Sequence, residues 1–122
     1  MTWQLDDNRP IYAQLIEHLQ FQILSGDYPP GGKLPSVREL ASEASVNPNT
    51  MQKALSELET QGLLCTQRTV GRSVTEDAEA IAQMRRALME KTIQEFLENM
   101  GRIGCSPNET LKMFSKYVEE KN

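Results

Sequence analysis

The change in hydrophobic period near Gly62 is the feature that most restricts the folds open to this chain. Up to that glycine, the apolar residues recur at helical spacing, three or four residues apart. The stretch LLCTQRTVGRSVTED that follows carries five β-branched residues and a glycine, a pattern typical of two short strands joined by a turn. We expect strands near Leu64–Gln67 and Ser73–Thr75, with Arg68 and Arg72 at the tip. Since an isolated hairpin is marginal in water, this one has to pack on helices.

Two helices are predicted at the start of the chain. The first runs over Ile11–Ser25, because Pro10 suits the first helical position and Gly26 suits the C-terminal stop. The second is a short helix of about two turns, and Ser36 and Glu39 have the spacing of a capping box at its start. The stretch GDYPPGGKLP between the two helices is a dense turn signal.

A third helix begins within the stretch VNPNTMQKAL, which crowds amides, a hydroxyl and a lysine into two turns. Asn47 suits the N-cap and Pro48 the first helical position, where a missing N–H costs nothing. An apolar stripe faces the core: Met51, Ala54, Leu55, Leu58 and Leu63. Two helices, a third with a polar start and a hairpin predict a winged helix-turn-helix domain over residues 1–76. The fold class is thus mainly α with a small β-hairpin.

Residues 77–122 are predicted to form two further helices that serve dimerisation. The first covers Asp77–Met100 and is broken by Gly101 and Gly104, and the second opens at Ser106. The first would extend about 36 Å, which is more than a small domain needs. The expected dimerisation residues are Ile81, Met84, Leu88, Ile93, Phe96, Leu97, Leu111, Phe114 and Val118. The alternative is an intramolecular helical hairpin packed on the first domain.

The sequence contains no set of residues that indicates an enzyme active site. His18 is the single histidine, and Cys65 and Cys105 match no metal-ligand spacing. We expect Cys65 to be a small buried residue and His18 to lie on a helix surface or to be satisfied by its neighbours. No catalysis, metal or cofactor is therefore predicted. The acidic opening MTWQLDDNRP argues against a signal peptide, and no apolar run could span a membrane, so a cytoplasmic protein is expected.

The net charge of −4 opposes nucleic-acid binding at first sight, because Lys and Arg neutralise phosphates. The distribution of charge matters more than its sum. No acidic residue lies between Glu43 and Glu57, and none between Glu59 and Glu76. These two gaps contain the cations Lys53, Arg68 and Arg72. A locally positive face on an acidic chain is therefore allowed.

Three stretches carry a resemblance to a known family. PIYAQL (Pro10–Leu15), SGDYPPGGKLPSVRELA (Ser25–Ala41) and VNPNTMQKALSELETQGLL (Val46–Leu64) resemble the winged-helix domain of the GntR family, in the same order. The short tail of two helices is similar to that of the YtrA subfamily, which lacks a large effector domain. The resemblance implies a homodimeric transcription factor, usually a repressor of its own operon and often linked to a transporter. A small-molecule effector would have to bind the dimer interface or a cleft between the two parts.

The resemblance also implies which residues contact DNA. They are Arg38 in the second helix, Asn47, Asn49, Thr50, Gln52 and Lys53 in the third, and Arg68, Gly71 and Arg72 in the hairpin. Asn49 is the best base-reading candidate, since an amide pairs bidentately with adenine. Of Gln52 and Lys53, Lys53 is the better candidate for a phosphate contact. Arg38 could instead be solvated or paired with Glu39 or Glu43. Pro48 stands where many family members have arginine, so an arginine–guanine contact is absent there.

The resulting mechanism is a two-fold dimer on double-stranded DNA. Each third helix enters the major groove, and the hairpin arginines hold the flanking backbone or minor groove. Such a dimer predicts an inverted-repeat operator with half-sites about 34 Å apart. The alternative is a protein-interaction module in which the winged helix is an assembly scaffold. The acidic net charge gives it weak support, whereas the acid-free stretches and the hairpin arginines oppose it.

Overall fold

A computed structural model describes residues 3–122; Met1 and Thr2, which begin the acidic opening stretch, lie outside the described residues. Within that range the elements are α1 (Ile11–Ser25), α2 (Val37–Ala44), α3 (Pro48–Thr60), β1 (Leu64–Gln67), β2 (Gly71–Val74), α4 (Ala78–Arg102) and α5 (Pro107–Lys121). The predicted fold class, mainly helical with one small hairpin, is confirmed. Over residues 3–122, none of the helices is long and apolar enough to cross a membrane.

The chain divides into two compact units, one ending at Met84 and the other covering Arg85–Asn122. In the first unit, the apolar stripe of α3 lies at the centre of the core. The buried core residues are Leu15, Leu19, Ile23, Leu34, Leu40, Ala41, Ala44, Met51, Ala54, Leu55, Leu58, Leu63, Leu64 and Val74. Trp3 and Leu5, from the stretch before α1, pack against this core. The predicted domain boundary after residue 76 stays a prediction.

The helix starts are built as the local sequence patterns predict, with one difference. The Ser36 hydroxyl accepts from the Glu39 amide at 3.1 Å, and the Glu39 carboxylate accepts from the Ser36 amide at 3.3 Å, which completes the capping box. At the start of α1, however, Pro10 is the N-cap rather than the first helical residue. Its ψ of 126° is extended, so helical backbone begins at Ile11. Gly26 ends the helix with a φ of +93°.

The hairpin places its two arginines differently from the prediction. Its antiparallel register pairs Gln67 with Gly71 and Thr66 with Arg72. Arg72 therefore lies within β2, and only Arg68 occupies the connection between the strands, so the prediction of both arginines at the tip is wrong. The cause is Gly71, whose φ of +89° closes the turn and makes this glycine the first residue of the second strand.

The turn segment before α2 lines the open edge of β2. The Val74 amide donates to the Gly32 carbonyl at 2.8 Å, the Gly31 amide to the Val74 carbonyl at 3.0 Å, and the Leu34 amide to the Arg72 carbonyl at 2.9 Å. These bonds satisfy backbone groups that an edge strand would otherwise leave unpaired. The hairpin is therefore anchored to the body of the unit rather than left as an isolated pair of strands.

Cys65 is exposed, which corrects the expectation that it is a small buried residue. Its neighbour Leu64 is buried in the core at 3% exposure. Because successive side chains of a strand point to opposite faces, burial of Leu64 turns Cys65 outward.

His18 on α1 is satisfied by its neighbours, one of the two environments expected for it. Its ring stacks on Trp3 with centroids 4.0 Å apart, and its Nε2 lies 3.1 Å from the Nε2 of Gln22. Burial in this place lowers the pKa of His18 below its ordinary value.

The second unit contains the C-terminal part of α4 and all of α5. The prediction that Gly101 breaks the long helix is wrong, because helical backbone continues to Arg102 and ends before Gly104, whose φ is +94°. A glycine in the last turn of a helix costs only about 1 kcal/mol, so it does not force a break. Ser106 caps α5 as predicted and accepts from the Glu109 amide at 3.2 Å.

Candidate nucleic-acid interface

The first turn of α3 gives its two asparagines different surroundings. The side-chain oxygen of Asn47 accepts from the Asn49 amide at 2.8 Å, so this oxygen is used to cap the helix. The Asn49 side chain is exposed and makes no hydrogen bond within residues 3–122. Asn49 therefore keeps both its carbonyl oxygen and its amide hydrogens for an external partner. Thr50, one residue further on, is half-buried.

The second turn of α3 presents a polar face opposite the core. Gln52 and Lys53 are exposed, whereas Met51 and Ala54 beside them are buried. A surface depression joins Thr50, Gln52 and Lys53 with Tyr12 of α1. Sequence reasoning missed Tyr12, because only the packing of α1 against α3 brings its ring beside the polar face. A tyrosine hydroxyl is one of the groups that contact DNA phosphates.

Arg38 lies near the start of α2 with an exposed side chain. No ion pair joins it to Glu39 or Glu43 in the described part of the chain, so the pairing considered from the sequence is not formed. Glu39 is instead occupied in the capping box with Ser36. Arg38 is therefore a cation that the protein itself leaves available to an anion.

The hairpin combines an exposed arginine with one that is held by the protein. Arg68 is exposed in the connection between the strands. Gly71 has open space where a Cβ would project. Arg72 is different: its Nε lies 2.5 Å from Glu59 Oε1, and its side chain is only 15% exposed. Its Nη1 also lies 3.5 Å from Gln52 Oε1 on the polar face of α3.

Glu59, near the end of α3, receives two donors from the hairpin. Besides Arg72, the Thr66 hydroxyl donates to its Oε2 at 2.6 Å. Burial alone would raise the pKa of Glu59, but the hydrogen bonds from Thr66 and Arg72 and the positive charge of Arg72 outweigh it and lower the pKa. Glu59 is therefore held as a carboxylate between helix and hairpin. The spacing of these residues does not predict this contact, because Thr66 and Arg72 are 7 and 13 positions away from Glu59 along the chain.

A groove of about 680 Å³ lies between the start of α2 and the hairpin, and its lining includes Lys33, Ser36, Glu39, Gly71 and Arg72. Lys33 is an exposed cation that was not predicted from the sequence. The one feature that could have indicated it is its position just before α2. Arg72, which lines this groove, also contacts Gln52 on the polar face of α3. Arg38 and Arg68 make no hydrogen bond to α3 within the described residues.

The predicted dimerisation residues divide between the two units. Ile81 and Met84 pack against the core of the first unit. In the second unit, Thr110 is the one buried side chain. Most of the large apolar side chains of the two helices and their connection are exposed: Met89, Ile93, Phe96, Ile103, Leu111, Met113, Phe114, Tyr117 and Val118. Leu88 and Leu97 are half-buried. Phe96 and Phe114 contact each other, with ring centroids 6.0 Å apart, beside an apolar groove of about 550 Å³.

Known proteins share both the sequence and the fold. The model of the bacterial regulatory proteins of the gntR family matches residues 11–74. YhcF, an uncharacterized HTH-type transcriptional regulator of Bacillus subtilis, is 33% identical over 119 residues, 98% of this chain and 98% of that protein. YtrA, an HTH-type transcriptional repressor of the same bacterium, is 48% identical over 69 residues, 57% of this chain and 53% of that protein.

Solved structures agree. A GntR family transcriptional regulator from Listeria monocytogenes superposes with a TM-score of 0.86 at 35% identity, covering 92% of this chain and 98% of that chain. AraR(DBD) in complex with operator ORE1 superposes with a TM-score of 0.53 at 31% identity, covering 62% of this chain and 94% of that chain. The family match extends from α1 to β2 and so contains every residue of the candidate interface.

Proposed function

The chain belongs to the GntR family of bacterial regulatory proteins and is a DNA-binding transcriptional regulator, and on that premise we propose that it is a homodimeric repressor of its own operon. The repressor activity is supported by the similarity to YtrA, which is a transcriptional repressor. A transporter operon as the target, a cytoplasmic location and a small-molecule effector stay predictions.

The polar face of α3 is the observation that carries the proposal. Asn49, Gln52 and Lys53 are exposed along one side of a helix whose other side is buried in the core. In helix-turn-helix proteins the second helix of the motif lies in the major groove with its N-terminal residues at the base edges. α2 and α3 have this arrangement, and AraR(DBD), which superposes on 62% of the chain, is bound to an operator.

The proposed contacts follow from what each side chain leaves available. Asn49 reads a base through its amide, with Thr50 beside it. Arg38, Lys53 and Arg68 bind phosphates, which position the protein without reading sequence. The exposed backbone at Gly71 and the remaining amide hydrogens of Asn47 are proposed backbone contacts, while Gln52 lies at the edge of the base-reading face. Arg72 was predicted as a further DNA contact, and its ion pair with Glu59 is the reason to treat it separately.

The apolar surface of the second unit supports the proposed homodimer. Leu111, Phe114 and Tyr117 are 64%, 55% and 62% exposed, and several further large apolar side chains lie on the same two helices. Monomeric proteins rarely leave a contiguous apolar surface of this kind in water, and a second copy related by a two-fold axis would bury it. We therefore propose residues 77–122 as the dimerisation region and residues 1–76 as the DNA-binding domain.

The experiment that tests the proposal starts from random duplex DNA. The full-length chain is used to select bound duplexes, and the enriched site is then measured by gel shift and footprinted on the DNA upstream of its own gene. We expect an inverted repeat with half-sites about 34 Å apart, bound by two protomers. Failure to enrich any sequence, or footprints absent from its own upstream DNA, would count against the operator or the autoregulation respectively.

A further inference from the structure

Glu59 connects α3 to the hairpin, and it is not among the residues proposed to contact DNA. Its two carboxylate oxygens take different donors from the two strands, Thr66 of β1 and Arg72 of β2. Arg72 in turn reaches Gln52, two helical turns before Glu59 on α3. The hairpin is therefore held to α3 through three side-chain hydrogen bonds, in addition to the backbone bonds at its far edge.

The surroundings of Arg72 do not suit a phosphate contact. Its side chain is 15% exposed, and its Nε is already hydrogen-bonded to a carboxylate of opposite charge. Moving the guanidinium to a phosphate would leave the Glu59 carboxylate without its cation, and that carboxylate would also face the DNA backbone as a like charge. Arg68, by contrast, is exposed in the strand connection and has no ion pair within the described residues.

We propose that Glu59 and Arg72 are positioning residues, whose ion pair fixes the hairpin against α3 so that Arg68 and the backbone at Gly71 meet the DNA. The inference rests on the proposed DNA-binding function and assigns Arg72 a role other than phosphate contact. Thr66 completes the connection by donating to the second oxygen of Glu59. Removal of Glu59 or Arg72 then loosens the hairpin without removing a contact to a DNA phosphate, so the number of counterions released on binding stays the same.

Salt dependence of DNA binding separates this role from a direct phosphate contact. Glu59→Gln, Arg72→Gln and the double variant are compared with Arg68→Gln on the selected duplex from 50 to 300 mM salt. Each phosphate contact contributes about 0.9 to the log–log salt slope, so Arg68→Gln should reduce the slope by about 1.8 for a dimer. Glu59→Gln and Arg72→Gln should each weaken binding about ten-fold with the slope unchanged, and the double variant should be no weaker than either.

The opposite pattern would overturn the proposal. If Arg72 contacts a phosphate, Arg72→Gln reduces the slope as Arg68→Gln does, and Glu59→Gln leaves binding unchanged or tightens it by removing a competing negative charge. Amide hydrogen exchange over residues 66–73 gives a second measurement that needs no DNA. Both single variants should speed exchange there to a similar extent, and unchanged exchange refutes the positioning role. A wild-type chain that binds no duplex refutes the proposed function instead, and the exchange result still decides on the ion pair.

Discussion

The side-chain oxygen of Asn47 lies 2.8 Å from the backbone nitrogen of Asn49, so two asparagines of one turn have separate tasks. The first supplies the acceptor that begins α3, and the second leaves its own amide exposed. Since the cap holds the first turn of the helix, it also holds the position of the residue that we propose to read a base.

Removing the cap should cost stability. Asn47→Ala deprives the Asn49 amide of its acceptor, and the loss of an N-cap acceptor typically costs about 1 kcal/mol. Urea unfolding followed by circular dichroism should show that decrease in the free energy of unfolding. Asn47→Asp is the matched control, because it keeps an acceptor oxygen and should stay close to wild type. Equal stability of Asn47→Ala and wild type would contradict the capping role.

Removing the exposed amide should cost specificity instead. Asn49→Ala should leave the unfolding midpoint close to wild type but weaken binding to the selected duplex by about 5- to 150-fold, with little effect on a scrambled duplex. Fluorescence anisotropy with both duplexes measures the two affinities. Asn108→Ala is a matched control, because Asn108 also follows a proline at the start of an exposed helix, in the second unit. An equal loss on both duplexes would mean that Asn49 does not read sequence.

The number of phosphate contacts should appear in the salt dependence of the wild-type protein. Three contacts from each protomer, made by Arg38, Lys53 and Arg68, correspond to a log–log slope of about −5, whereas a fourth from Arg72 would bring it to about −7. Arg38→Gln should then bring the slope about 1.8 closer to zero, while Lys112→Gln in the second unit should not change it. A slope that Arg38→Gln does not alter would exclude Arg38 as a phosphate contact.

A charge on the apolar surface of α5 should prevent dimerisation. Leu111 is 64% exposed, so a glutamate there disturbs little within the protomer but would be buried in the proposed interface. Leu111→Glu should sediment as a monomer at concentrations at which wild type has twice the protomer mass. Lys112→Glu adds a glutamate on a different face of the same helix, about 100° around its axis from Leu111, and should remain dimeric. Monomeric wild type, or dimeric Leu111→Glu, would argue against this surface as the interface.

The ion pair of Glu59 should make stability depend on acid pH. The pKa of Glu59 is lowered in the folded protein from its ordinary value of 4.5, so its stabilising effect is complete above that value and is lost as pH falls through the lower folded pKa. The difference in free energy of unfolding between wild type and Glu59→Gln should be constant from pH 7 to about 5.5 and should shrink below about pH 4.5. Urea unfolding at pH 7, 5.5, 4 and 3 measures it. A difference that does not change with pH would show that the charge of Glu59 contributes nothing.

The helix starts could be predicted from sequence because their bonds are local. Ser36 reaches Glu39 and Asn47 reaches Asn49, so each cap depends on residues two or three positions apart. The same locality explains the correct extent of α1 and the correct first strand, where period and glycine position are read over a few residues. Gly101 misled the prediction because a glycine lowers helix stability by an amount that neighbouring residues can outweigh.

The partner of Arg72 could not be predicted in this way. Glu59 lies 13 residues before it, and the two meet only because the register of the hairpin and its packing on α3 place them side by side. The exposure of Cys65 has a similar origin, since it depends on which face of β1 packs against the core. Tyr12 joins the polar face of α3 through the packing of one helix on another.

The sequence by itself determined the order of the elements, the caps of α2, α3 and α5, the family and the polar face of α3, because each of these depends on neighbouring residues or on a pattern of constant period. Only the tertiary structure decided which cations are available to DNA. It leaves Arg38 and Arg68 exposed and encloses Arg72 against Glu59. The physical reason is that the availability of a charge depends on what lies opposite it in space, and a one-dimensional pattern does not contain that distance.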